Sequence, residues 1–138
     1  VSYNVLADSL LDLSYVPYMR GWPRELWDNR NAHCLRKVLA FEPDIACIQE
    51  MEEEVFNTLF KPAMEIQGYA CHFLRRSGDK TDGCATFVKK DRLRVLREEP
   101  LYLIKPDHPV LDRDNVALIL AVELLPGVGE GGGTTKRK

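Results

Sequence analysis

Pro43-Asp44-Ile45-Ala46-Cys47-Ile48-Gln49-Glu50 is the stretch whose reading decides the fold. A short apolar run, Ile45 to Ile48, follows a proline and leads into the acidic cluster Gln49 to Glu54. A run this short with such flanks reads as a buried strand, because a helix needs a longer periodic pattern. The strand is expected to end on the Glu50 carboxylate, at the kind of strand end where α/β folds collect ligands and catalytic groups. Taken alone, a solvated glutamate at a strand end is the simpler reading.

Working outward, Arg24 to Phe41 reads as a helix, with Trp27, Leu35, Val38 and Leu39 on one stripe and Asn31 its weak member. Pro43 is its stop signal. Further upstream, Val1 to Leu6 alternates as a strand that carries Asn4, and Ala7 to Pro23 is a long connection rich in Tyr and Trp. Its aromatic rings are suited to stacking on bases or to packing on the domain flank. Downstream, Glu53 to Gln67 reads as a second helix, kinked or broken at Pro62 and capped by Gly68. Strands are expected at Tyr69 to Leu74, Cys84 to Val88 and Leu93 to Leu96, with Leu101 to Ile104 demoted to an edge by Pro100. Asn115 to Leu125 is nearly all apolar and reads as a long central strand. The order β-α-β-α and then mostly β gives an α/β (α+β) layered domain, a mixed sheet covered by helices. Residues 1–125 form this domain, and 126–138, Gly-rich and ending Lys136-Arg137-Lys138, are expected to be a flexible basic tail.

Composition narrows the function classes. A chain of 138 residues that is 45% hydrophobic can bury one sizeable core. A net charge of −2 provides no global field for nucleic acid, so any grip on a polyanion must come from local cations or a bound metal. Cys34, Cys47, Cys71 and Cys84 show no Cys-x-x-Cys spacing and read as reduced, mostly buried thiols. With no secretory leader pattern, that leads to the expectation of an intracellular, cytoplasmic protein. No apolar run reaches the roughly 18 residues of a membrane span, so no membrane partner is expected. The chain opens without Met, directly in an alternating run, and is expected to be a piece of a longer protein.

His33, His72 and His108 are scattered without metal-ligand spacing and read as surface or loop histidines. Glycine-rich nucleotide loops, nucleophile elbows and zinc-protease motifs are absent. What remains is Asn4 in the first strand and Glu50 ending the second. A hard cation such as Mg²⁺ takes one or two carboxylates, waters and substrate phosphate oxygens. Glu50 could be that carboxylate, and the Asn4 amide could donate to a phosphate oxygen.

Tyr3-Asn4-Val5-Leu6-Ala7, Trp27-x-x-Arg30, Pro43 to Glu50 and Asp82-Gly83-Cys84-Ala85 occur in that order. Together they resemble the endonuclease/exonuclease/phosphatase superfamily of DNase I-like fold. More narrowly they are similar to its deadenylase branch of Ccr-type poly(A) nucleases, nocturnin and the Angel proteins. Leu111-Asp112-Arg113-Asp114-Asn115-Val116-Ala117 is most similar to the Angel group. The resemblance implies the N-terminal half of a four-layer α/β/β/α sandwich. It also implies that Asn4 positions the scissile phosphate, that Glu50 ligates Mg²⁺, and that Arg75, Arg76 and Lys80 border the substrate. Asp82 is open between turn-making and a site role, and Asn115 between a strand-start hydrogen bond and a site role.

The implied activity is a Mg²⁺-dependent phosphodiesterase or 3′–5′ exoribonuclease acting on RNA 3′ ends, poly(A) included. The alternatives are a phosphatase for 2′,3′-cyclic RNA ends or nucleotides, and a non-catalytic module that binds RNA or protein. The family's later Gly-Asp-x-Asn and Ser-Asp-His motifs, which carry the general acid and base, do not occur here. This polypeptide alone is therefore expected to be inactive, and to expose an apolar sheet face.

Overall fold

The computed structural model describes residues 1–11, 14, 17–105 and 107–126. The tail expected over 126–138 lies, from 127 on, outside the described residues. Strand β1 (Ser2–Asn4) leads through two single 3-10 turns to helix α1 (Arg24–Ala40), and strand β2 (Ile45–Glu52) follows. A helical stretch comes next, composed of α2 (Glu53–Val55), a π-helical turn (Phe56–Phe60) and α3 (Lys61–Ile66). Strands β3 (Tyr69–Arg75), β4 (Asp82–Lys89), β5 (Leu93–Tyr102) and β6 (Val116–Leu124) complete the chain. They form a four-stranded sheet in the order β1-β2-β4-β3 and a separate hairpin, β5-β6. Among the described strands only β1 and β2 run parallel, as a crossover through α1 requires.

Period-2 alternation divides the sheet's faces. Ala46 and Ile48 from β2, Ala85 and Phe87 from β4 and Tyr69 from β3 join Leu35 and Val38 of α1, and Phe56, Phe60 and Met64, in one buried core. Phe56 stacks on Phe73 at 4.7 Å and Phe60 on Phe87 at 6.1 Å. The hairpin meets the opposite face, where His72 Nδ1 lies 2.8 Å from Glu98 Oε2 and the Cys84 thiol donates to the Val116 carbonyl at 3.8 Å.

Pro62 does interrupt regular helix, by a π turn and not a break. It has no N–H for an i−4 bond, and the Lys61 N–H just before it reaches back five residues to the Phe56 carbonyl. Gly68, at φ +82°, turns the chain into β3 as its sequence position suggests.

Five expectations need correction. Strand β2 does not end at Glu50 but runs on to Glu52, with a bulge between Ile48 and Met51. Asp82-Gly83 is not a turn; it opens β4, where Gly83 pairs with Met51 on one side and Arg75 on the other. The two short strands around Pro100 are one strand, β5, because that proline lies in a two-stranded sheet where an absent N–H on the outer edge breaks no ladder. Strand β6 is not central: among the described residues it pairs with β5 alone. The hairpin leaves Leu96, Leu101, Tyr102, Ile119 and Leu124 exposed. His72 lies in β3, within the strand expected over Tyr69 to Leu74, but it is not a surface or loop histidine; it is paired to Glu98 and largely buried.

Candidate active site

Asn4 closes β1 opposite Gln49, and the bulge in β2 turns the next side chain, Glu50, toward it. A bulge can re-aim a side chain in this way, at the cost of backbone strain. Glu50 has φ +55°, left-handed territory where a residue with a Cβ is disfavoured. The Asn4 Nδ2 amide donates to Glu50 Oε1 at 2.7 Å. Asn4 Oδ1 accepts the Leu6 backbone N–H at 2.8 Å, which fixes which end of the amide faces the carboxylate. Leu6 is itself left-handed, at φ +52°. The two residues singled out in the sequence thus form one hydrogen-bonded unit, with strained backbone at both of its supports.

Glu50 Oε2 is buried and has no hydrogen-bond partner among the described residues. A carboxylate oxygen in that position is costly unless something positive or hydrogen-bonding meets it. Among the described residues no group of three or more His, Cys, Asp or Glu side chains gathers into a metal cage. One unmet anionic oxygen, on a residue that lines a cleft, fits a cation that draws its other ligands from water and substrate, as Mg²⁺ does.

That space is a cleft of about 200 Å³ lined by Leu10, Gln49, Glu50, Arg76, Asp82, Gly83, Cys84, Asn115 and Val116. The sequence left Asp82 and Asn115 open, and the structure brings both to the wall of Glu50's cleft. Asp82 is buried and takes Arg76 Nε and Nη2 on one oxygen, at 3.0 and 2.5 Å. Asn115 also fills a structural role, its carbonyl accepting the Leu103 N–H at 2.9 Å beyond the strand pairs. Across the rim, the Ser77 hydroxyl bonds Asp114, joining the 75–81 loop to the hairpin connection. Arg75 faces away from the cleft, 3.7 Å from Glu53, and Lys80 pairs with Asp79. Of the three expected border cations, only Arg76 lines the cleft. Burial, and next the Asp82 carboxylate, push the Cys84 thiol up, so it stands in the cleft as a neutral group.

A larger open groove of about 680 Å³ lies alongside, walled by Asp8, Glu52, Glu53 and Glu54. It does not include Glu50, and Asn4 lines neither hollow but reaches the smaller one through its bond to Glu50. The carboxylate held by Asn4, the Arg76–Asp82 pair and Asn115 converge on the smaller cleft. Arg30, which the sequence offered only as part of the motif Trp27-x-x-Arg30, turns out to have a role of its own. Its guanidinium bonds the backbone carbonyls of Val5 and Leu6, directly behind Asn4.

No family model matches the chain. Protein angel homolog 1 of the rat, Rattus norvegicus, is 37% identical over 132 residues, which is 95% of this chain and 20% of that protein. The chain thus spans about a fifth of the length of the curated relatives it matches. A crystal structure of ANGEL2, a 2′,3′-cyclic phosphatase, in complex with adenosine-2′,3′-vanadate superposes with a TM-score of 0.77 at 33% identity. It covers 90% of this chain and 36% of that one. An endonuclease/exonuclease/phosphatase from Bacteroides vulgatus, 18% identical, has the same fold with a TM-score of 0.60 over 89% of this chain and 45% of that one. Angel-type relatives and the DNase I-like fold are what the sequence motifs lead one to expect.

Proposed function

We propose that this chain, as the Angel-like part of a DNase I-like fold, supplies the metal-holding and phosphate-gripping side of a phosphoric-ester hydrolase for RNA 3′ ends. The observation that carries the reading is the Asn4–Glu50 pair, in which one carboxylate oxygen is held by an amide and the other is buried and unmet. Glu50 would hold Mg²⁺ through Oε2, and the ion when bound supplies Lewis-acid stabilisation of charge on the phosphoryl oxygens. With one Nδ2 proton committed to Glu50, the second Nδ2 proton of Asn4 is a donor for a phosphate oxygen. Arg76, its Nε and Nη2 anchored by Asp82, keeps a fixed positive charge on the cleft wall where an anion would lie.

The Gly-Asp-x-Asn and Ser-Asp-His motifs that carry the acid and base in the family do not occur in this sequence. The acid and base are assigned to the part of the fold that this chain does not carry, and the chain alone binds without turnover. Between substrates, the 33% identity to a protein described as a 2′,3′-cyclic phosphatase favours a cyclic-phosphate RNA end over poly(A).

The test has two arms. Mn²⁺, a paramagnetic stand-in for Mg²⁺, should broaden NMR signals around Glu50 in this chain, and Glu50→Gln should abolish that. A protein carrying this segment with the remainder of the fold should release phosphate groups or nucleotides from a cyclic-phosphate-ended oligonucleotide, and Glu50→Ala should remove the activity. Broadening centred elsewhere, or activity indifferent to Glu50, would sink the assignment.

A further inference from the structure

We infer that Arg30 is a positioning residue for this site: it fixes the backbone behind Asn4 and so sets the direction of the Asn4 amide toward Glu50. The inference rests on the functional reading above only in giving that geometry a metal-binding purpose.

Arg30 lies on α1, outside the cleft. Its Nη1 donates to the Leu6 carbonyl at 3.1 Å and its Nη2 to the Val5 carbonyl. One planar fork thus takes two consecutive carbonyls where the chain leaves the sheet. Val5 extends the backbone pairing of β1 with β2 by one residue, its N–H donating to the Gln49 carbonyl at 3.0 Å. The next residue, Leu6, is left-handed at φ +52° and directs its N–H onto Asn4 Oδ1. For a leucine that backbone is disfavoured and persists only where neighbours over-determine it. Asn4 Oδ1 holds the N–H of that leucine and the guanidinium holds its carbonyl. Trp27, one turn earlier and buried, sets the fork in place, its ring 5.4 Å from the Arg30 Cζ. A continuous path therefore runs from a core tryptophan through Arg30 and Leu6 to Asn4 and Glu50. A lysine would offer a point charge on a flexible stem and could not hold both carbonyls in one plane.

The experiment uses the 138-residue chain, ¹⁵N-labelled, as wild type, Arg30→Met and Arg30→Lys, with Glu50→Gln to identify the Asn4 amide proton that reports on the carboxylate. In Arg30→Met, the Asn4 side-chain resonances should move toward those of a free amide and Leu6 N–H exchange should accelerate at least tenfold. Amides of the β2–β4 ladder, such as Ile48 and Phe87, should stay in place. Mn²⁺ affinity should fall by about 10- to 100-fold, the usual consequence of losing an outer support to a metal ligand. Arg30→Lys should recover only part of each effect. If Arg30→Met fails to fold, Arg30→Lys answers the same question through the same resonances. Unmoved Asn4 resonances in either variant that folds would overturn the inference, and so would a lysine indistinguishable from arginine. Should the Asn4 resonances shift as expected while the wild type binds no Mn²⁺, the metal reading would fail and the positioning role would stand.

Discussion

Replacing Glu50 by glycine should make this protein more stable than replacing it by alanine, although either change destroys the site. Both substitutions remove the carboxylate, its bond from Asn4 and the unmet Oε2, so those contributions cancel in the comparison. What differs is the backbone at φ +55°. A residue bearing a Cβ is disfavoured there by about 1–2 kcal/mol, and glycine avoids this at an entropic cost of roughly 0.5–1 kcal/mol in the unfolded chain. The net advantage of Glu50→Gly over Glu50→Ala is therefore about 1 kcal/mol. With an unfolding entropy near 2.1 cal/mol/K per residue, that is a Tm difference of about 3–4 °C in a chain of this length. Thermal melts followed by circular dichroism, with urea midpoints as a check, would measure it. An alanine variant as stable as the glycine variant would refute the reasoning, since the strain at Glu50 would then be absent in solution.

Other expectations follow from the same sheet. In Gly83→Ala the new Cβ would lie 2.1 Å from the Leu74 carbonyl oxygen and 2.8 Å from Arg75 Cα, so urea denaturation should show a loss on the order of 3 kcal/mol or more as β3 and β4 are forced apart. Asp82→Ala leaves the largely buried Arg76 charge uncompensated and should cost about 3–5 kcal/mol, while replacing both partners by leucine should recover most of it, as chemical denaturation of the three variants would show. Burial pushes the Cys71 thiol up to about 11 from an ordinary value of 9.0. The folded chain thus holds that proton to higher pH than the unfolded one, so this stabilisation is complete below about pH 9 and is lost as pH rises toward 11. Urea midpoints should decline across that window, and less steeply in Cys71→Ala.

The parts of this fold legible in the sequence were those written in local pattern. Ile45 to Ile48 had to be buried, α1 carried its stripe, and Asn4 and Glu50 stood out as polar groups at strand ends. What the sequence concealed was set by neighbours distant along the chain. Gln49-Glu50-Met51 contains no glycine, so nothing local announces a bulge that turns a glutamate left-handed. Asp82-Gly83 reads as a turn because that dipeptide usually makes one. Here the glycine is required by the Leu74 carbonyl passing where a Cβ would be. Pro100 reads as a break, but in a two-strand hairpin its outer edge has no partner to lose. The roles of Arg30 and Arg76 are hydrogen bonds to backbone and side chain that no periodicity records.

The hairpin's two edges are unlike, and that has a consequence for handling the protein. Strand β5 carries Pro100 and the charges of Arg97, Glu98 and Glu99, features that discourage pairing with another chain. Strand β6 has no such guard. From Val116 to Val122 it reads Val-Ala-Leu-Ile-Leu-Ala-Val, the same forward and backward about Ile119. A second molecule arriving antiparallel would place valine on valine, alanine on alanine and leucine on leucine, with Glu123 opposite Asn115 and not another acid. To itself, this strand is palindromic tape. The more concentrated the free chain, the more its solubility depends on whether a strand of its own fold or a copy of itself reaches that edge first.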